Sequence, residues 1–159
     1  MSQRRQQGFT LVEMMVTLSL LASLAAASLP LIEKQAQRHK EEQLQQALRQ
    51  IRQALDSYHR ASQQGLIEKR SDESGYPPTL QALSEGVVDK TSPNQRKIYF
   101  LRRIPRDPMC DCAGKADHES WRLRSSNSEP GNFTRRGDIY DVASYSEARG
   151  LNGVPYAQW

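Results

Sequence analysis

The chain has 159 residues and a mass of 18.1 kDa, with 37% hydrophobic residues, 25% charged residues and a mean hydropathy of −0.74. That length excludes a large multidomain enzyme, while two Trp, six Tyr and scattered Ile and Leu can build a small core, which excludes a wholly disordered chain. The net charge of +4 comes from 22 basic against 18 acidic residues spread along the chain, so it makes no nucleic-acid footprint and no nucleic-acid partner is expected.

Residues 1–8 form a short polar leader with Arg4 and Arg5, and residues 9–32 then read FTLVEMMVTLSLLASLAAASLPLI, in which Glu13 is the single charge. A helix over 9–32 is about 36 Å long at 1.5 Å per residue, enough to span a hydrocarbon core of about 30 Å. The basic leader stays on the cytoplasmic side, which places everything after the span on the other face. A cleavable secretory signal ending near Ala25–Ala27 is the alternative. Glu13 is the anomaly, because a carboxylate inside a bilayer segment costs roughly 2.5–3.5 kcal/mol on insertion scales. Either it marks the start of the span or it meets a positive partner once helices assemble. Pro30 removes one backbone hydrogen bond, so a kink is expected there.

The run Gly8-Phe9-Thr10-Leu11-Val12-Glu13, with a short basic leader before it and Pro30 late in the apolar run, resembles the class III signal of type IV pilins and type II secretion pseudopilins. The resemblance implies that a prepilin peptidase cuts between Gly8 and Phe9, that Phe9 becomes an N-methylated N-terminus, and that Glu13 pairs with the terminal amine of a neighbouring subunit. Such a pair offsets two charges that are otherwise costly in an apolar filament core, and it sets the axial register between helices.

Residues 33–64 contain neither Gly nor Pro and are rich in Gln, Arg, Lys, Glu, Leu and Ala, so an amphipathic helix continues the span. Leu44, Leu48, Ile51, Leu55 and Tyr58 recur at steps of four and three, forming one apolar stripe flanked by Ala47 and Ala54. The stripe is expected to pack on the chain's own C-terminal part, with a coiled-coil seam as the alternative. Arg38, Lys40, Glu41, Gln45, Arg49, Arg52 and Gln53 are expected on a solvated face, and Gly65 caps the helix.

Residues 65–159 read as a periplasmic α+β domain with a C-terminal loop. After a polar loop, Thr79 opens a short helix that Gly86 ends. Residues 98–101 are extended, and Ile104-Pro105-Arg106-Asp107-Pro108 is a rigid turn. Trp121–Arg124 and Asp138–Ser144 are strands. The fold class is therefore α+β, a long helix (a membrane half and an amphipathic half) on a small antiparallel sheet domain.

In their order along the chain, Gly75-Tyr-Pro-Pro-Thr-Leu80, Leu101-Arg-Arg-Ile-Pro-Arg-Asp-Pro108, Trp121, Asp138-Ile-Tyr-Asp-Val-Ala-Ser144 and a terminal Trp resemble the major pseudopilin, the G class, of type II secretion. That resemblance implies a calcium ion in the C-terminal loop. The loop departs from the pattern, because Glu147 is the only acid after Asp141. Ser144, Glu147 and Asn152 with backbone carbonyls are the calcium candidates, against six to eight oxygens that the ion takes. Packing of Pro155, Tyr156 and Trp159 is the other way to hold the loop, and no other cofactor is expected. Cys110 and Cys112 either bridge each other in an oxidising compartment, stay free or pair with a partner, or join His118 at a metal.

No nucleophile elbow, phosphate loop or HExxH occurs, and His39 and His59 are expected as solvated helix residues, so no enzyme is expected. The resemblance implies a structural subunit of the type II secretion pseudopilus, single-pass in the inner membrane and assembled into a periplasmic homo-oligomeric filament. It also implies the prepilin peptidase, minor pseudopilins and the inner-membrane assembly platform as partners. A type IV pilin of an extracellular fibre and a membrane-anchored binding domain are the alternatives.

Overall fold

The computed structural model describes residues 9–70, 73–134 and 137–159, without the side chains of 27–31. The leader, with Arg4, Arg5 and Gly8, lies outside the described residues. One helix, α1 (Leu11–Gln63), contributes to both of two compact units, the first ending at Arg38 and the second running from His39 to Trp159.

In the first unit α1 runs unbroken through Pro30. Its described side chains are exposed on every side, from Phe9 at 73% and Leu11 at 77% to Leu24 at 67%. Thr17, Ser19 and Ser23 donate their hydroxyl protons to the carbonyls of Met14, Met15 and Ser19, so these polar groups are satisfied inside the helix. Among the described residues no helix is long and apolar enough to cross a membrane, and within the apolar run the side chains of 27–31 are not among those described.

The second unit is built on the stripe. Leu44, Leu48, Ile51, Leu55 and Tyr58 are buried with Ala47 and Ala54, and they share one core with Leu80, Leu83, Trp121, Ile139 and Val142. Burying each large aliphatic side chain contributes roughly 1.5–3 kcal/mol, so the stripe holds the C-terminal part onto α1. The helix stops as expected at Gly65, whose φ of 73° lets Leu66 N–H reach back to Ala61 O at 3.0 Å and its own N–H to Ser62 O at 3.1 Å.

Helix α2 (Gln81–Glu85) follows Thr79, whose hydroxyl accepts from Ala82 N–H at 3.4 Å, and ends at Gly86. Strands β1 (Val87–Val88) and β2 (Lys97–Ile98) pair antiparallel, Val87 opposite Ile98. The extended segment expected over 98–101 shortens to β2 because Phe100 and Leu101 both donate their N–H groups to Leu83 O. Strands β3 (Trp121–Arg124) and β4 (Asp141–Ser144) pair antiparallel, with Trp121 opposite Ser144 and Arg124 opposite Asp141. The last strand was expected from Asp138, but Ile139 gives its N–H to Pro77 O, so the regular ladder starts only at Asp141.

The expected solvated face of α1 needs three corrections. Glu41 is 8% exposed and faces the C-terminal loop, since it falls three residues before Leu44 and so continues the buried stripe. Arg52 reaches across to Asp141, Val142 and Trp159. His59 is half-buried and stacks on Tyr76 with ring centroids 4.2 Å apart.

Candidate functional site

Phe9 and Glu13 stand at the opening of α1. Thr10 Oγ1 accepts from Glu13 N–H at 3.3 Å, and Met14 N–H reaches Thr10 O at 3.2 Å, so Thr10 caps the helix and Glu13 lies in its first turn. A carboxylate there faces the positive end of the helix dipole. Glu13 is exposed within an apolar surface that continues along Val12, Met15, Val16, Leu20 and Leu21. Exposed apolar surface of this extent marks an interaction surface. What the geometry offers is an exposed apolar rod with one acid near its start, a surface suited to assembly.

In the second unit several buried polar side chains hold loops. Asp107, 1% exposed, accepts from Met109 N–H at 2.8 Å and Ser144 O–H at 2.6 Å, and its own N–H goes to Ser120 Oγ at 3.1 Å. Trp121 Nε1–H donates to Pro105 O at 2.8 Å, so the proline-braced turn is fastened to both strands of the β3–β4 pair. Asp138 gathers the hydroxyls of Ser74, Ser125 and Ser126 and the N–H of Ser126. Burial pushes the Asp138 carboxyl up, but the hydrogen bonds from Ser125, Ser126 and Ser74 outweigh burial and hold it below the ordinary value.

A carboxyl depressed in the folded state contributes stability that is present above its unfolded pKa and is lost as pH falls through the folded one. Acidification below about pH 4 is therefore expected to destabilise the wild type by this group, and Asp138→Asn removes that part of the slope. Thermal melts of both proteins from neutral to acid pH check it, and parallel curves would refute it.

The calcium candidates are not brought together as ligands. Ser144 is buried with its hydroxyl on Asp107, Asn152 Oδ1 accepts from Val154 N–H at 3.0 Å, and Glu147 is exposed. Three loop carbonyls accept hydrogen bonds within the loop: Ala148 O from Tyr156 N–H, Gly150 O from Gly153 N–H, and Val154 O from Gly150 N–H and Trp159 Nε1–H. Among the described residues no group of three or more His, Cys, Asp or Glu is placed to hold a metal. This donor set does not fit calcium. Tyr156 and Trp159 pack edge to face at 5.1 Å, and Gly150 sits so close that an added Cβ would lie 2.5 Å from the Trp159 ring. Cys110 and Cys112 are bonded to each other, with Cα atoms 5.2 Å apart.

Sequence reasoning missed Glu41, Arg52, Asp107 and Asp138 as loop-holding residues. For Glu41 the signal was present in the stripe's own spacing, while the other three act over long sequence separations that leave no periodic trace.

Residues 3–29 match the protein family described as the prokaryotic N-terminal methylation motif. The chain is 29% identical over 157 residues to type II secretion system core protein G of Dickeya chrysanthemi, covering 96% of this chain and 82% of that one. It is 32% identical over 113 residues to the core protein G of Pseudomonas aeruginosa, covering 68% and 71% of the two chains. With the core protein G of Vibrio cholerae it shares 31% over 108 residues, 66% of each chain. No solved structure matches it. A methylation-type N-terminus on an exposed apolar helix, followed by a small α+β unit alike over most of its length, places the chain: it belongs to the family of type II secretion system core protein G, the major pseudopilins.

Proposed function

We propose that the chain is a structural subunit of the type II secretion pseudopilus, a membrane-rooted helical filament that drives protein export across the outer membrane. The observation that carries this reading is the uncovered apolar face of α1 from Phe9 to Leu24, with its lone acid Glu13. Lipid of the inner membrane covers that face in the single subunit, and neighbouring copies cover it in the filament. The second unit stays on the periplasmic side. The chain acts by assembling, with minor pseudopilins and the inner-membrane platform as partners, and carries out no catalytic step of its own.

Processing precedes assembly in this reading. The prepilin peptidase removes residues 1–8, and Phe9 becomes the methylated N-terminus. Replacing Gly8 with a bulky residue is expected to leave the chain full-length, because the bond after a large side chain is less accessible to the enzyme. Mass spectrometry of the membrane-extracted chain checks both points. The wild type is expected to start at Phe9 and carry one added methyl group, and a Gly8→Leu chain shortened by eight residues would sink the assignment.

The function is tested in a host whose secretion uses this chain. Deleting it is expected to strand exported proteins in the periplasm, and restoring it to bring export back. Normal export without the chain would overturn the reading.

A further inference from the structure

The segment after β4, residues 145–159, is folded against α1 by two side chains of opposite charge. Glu41 and Arg52 are eleven residues apart, about three helical turns, and so lie on nearly the same line of α1. Glu41 Oε1 accepts from Leu151 N–H at 2.9 Å and from Tyr156 O–H at 2.8 Å. Arg52 Nε–H donates to Asp141 Oδ1 at 2.9 Å, and its Nη2 donates to Val142 O at 3.1 Å and Trp159 O at 2.7 Å.

The oxygen set around Arg52, one carboxylate and two backbone carbonyls, is of the kind that a hard divalent cation gathers. Here a guanidinium gathers it. Its planar fork reaches several oxygens at once. The carbonyls of Ala148, Gly150 and Val154 accept from N–H groups inside the loop, as described above, and Arg149 Nη1 donates to Gly153 O at 2.8 Å.

We propose that Arg52 is the resident cation of the C-terminal loop, and that with Glu41 it holds residues 145–159 in place without a metal ion. The two residues are positioning groups, and the proposal does not depend on the secretion reading, since it concerns the fold of one copy. It makes this subunit's fold independent of the calcium level around it.

The test uses the full-length chain in detergent, melted with tryptophan fluorescence as the readout, in chelator and in millimolar calcium chloride. The wild-type Tm is expected to be the same in both. A saturating ion that bound only the folded loop would raise it by about 5 °C or more. Arg52→Gln removes the charge and the fork, and is expected to speed proteolysis within 145–159 by about tenfold or more, with no protection from calcium. Arg52→Lys keeps the charge without the fork and is expected to fall between the two. The proposal is overturned by a wild-type Tm that drops in chelator and recovers with calcium, or by an Arg52→Gln chain cut at the wild-type rate. If Arg52→Gln does not fold, the wild-type comparison alone decides.

Discussion

Glu13→Ala is expected to leave membrane insertion and leader removal intact and to cut filament assembly by roughly two to four orders of magnitude per subunit contact. Insertion survives because removing a carboxylate from an apolar run relieves the ~2.5–3.5 kcal/mol that it costs there. Leader removal is expected to survive because in the proposed processing the cut falls between Gly8 and Phe9, away from the Glu13 side chain. Assembly is expected to suffer because, under the proposed pairing, a neighbour's terminal amine would then enter the filament core with no counter-charge, and breaking one side of a buried pair costs about 3–5 kcal/mol.

The helix cap offers a competing account of Glu13, and a second variant separates the two. Thr10-Leu11-Val12-Glu13 has the spacing of a capping box, and Thr10 Oγ1 does accept from Glu13 N–H. In a capping box Glu and Gln serve alike, whereas an ion pair needs the charge. Glu13→Gln is therefore expected to fail in assembly as Glu13→Ala does. Yield of sheared filaments, together with cross-linking in the membrane at matched expression, is the measurement. Normal filaments from Glu13→Gln would assign the residue to the helix end and remove the pairing role.

The parts of the fold that were legible in the sequence are those in which near neighbours decide the structure. The stripe from Leu44 to Tyr58 announces a buried helix face through spacing alone, and Gly65 announces its end because a left-handed residue closes the last turn. Trp121–Arg124 reads as a strand from its alternation. The apolar run before Ala27 is equally plain, and among the described residues its side chains are exposed. Charged side chains on α1 were misread, because a charge near an apolar stripe looks solvated until its partner is known. Glu41 meets Tyr156, and Arg52 meets Trp159, more than a hundred residues later. The polar links of the second unit are hidden for the same reason. Ser74 comes from the connection between α1 and α2, while Ser125 and Asp138 stand at opposite ends of the β3–β4 connection, and only the folded core brings them together.

The second large effect belongs to Asp107. Asp107→Ala is expected to destabilise the chain by about 3–5 kcal/mol, a Tm drop of roughly 10–20 °C for a unit of this size. The substitution removes an acceptor that serves two groups at once, Met109 N–H and the buried hydroxyl of Ser144. Each donor stranded away from water costs roughly 1–3 kcal/mol, and the space left by the carboxylate adds to that. Ser144→Ala alone is expected to cost less, since Asp107 keeps the bond from Met109. The two losses share one hydrogen bond, so the double variant is expected to fall short of their sum by about 0.5–3 kcal/mol. Asp107→Asn retains an acceptor for Met109 N–H and is expected to recover much of the loss. Chemical denaturation of the four proteins gives the cycle directly. Strict additivity would mean that Ser144 is not bonded to Asp107 in solution. Its hydroxyl would then be open to a ligand in the C-terminal loop, and the metal-free account of that loop would lose one of its supports.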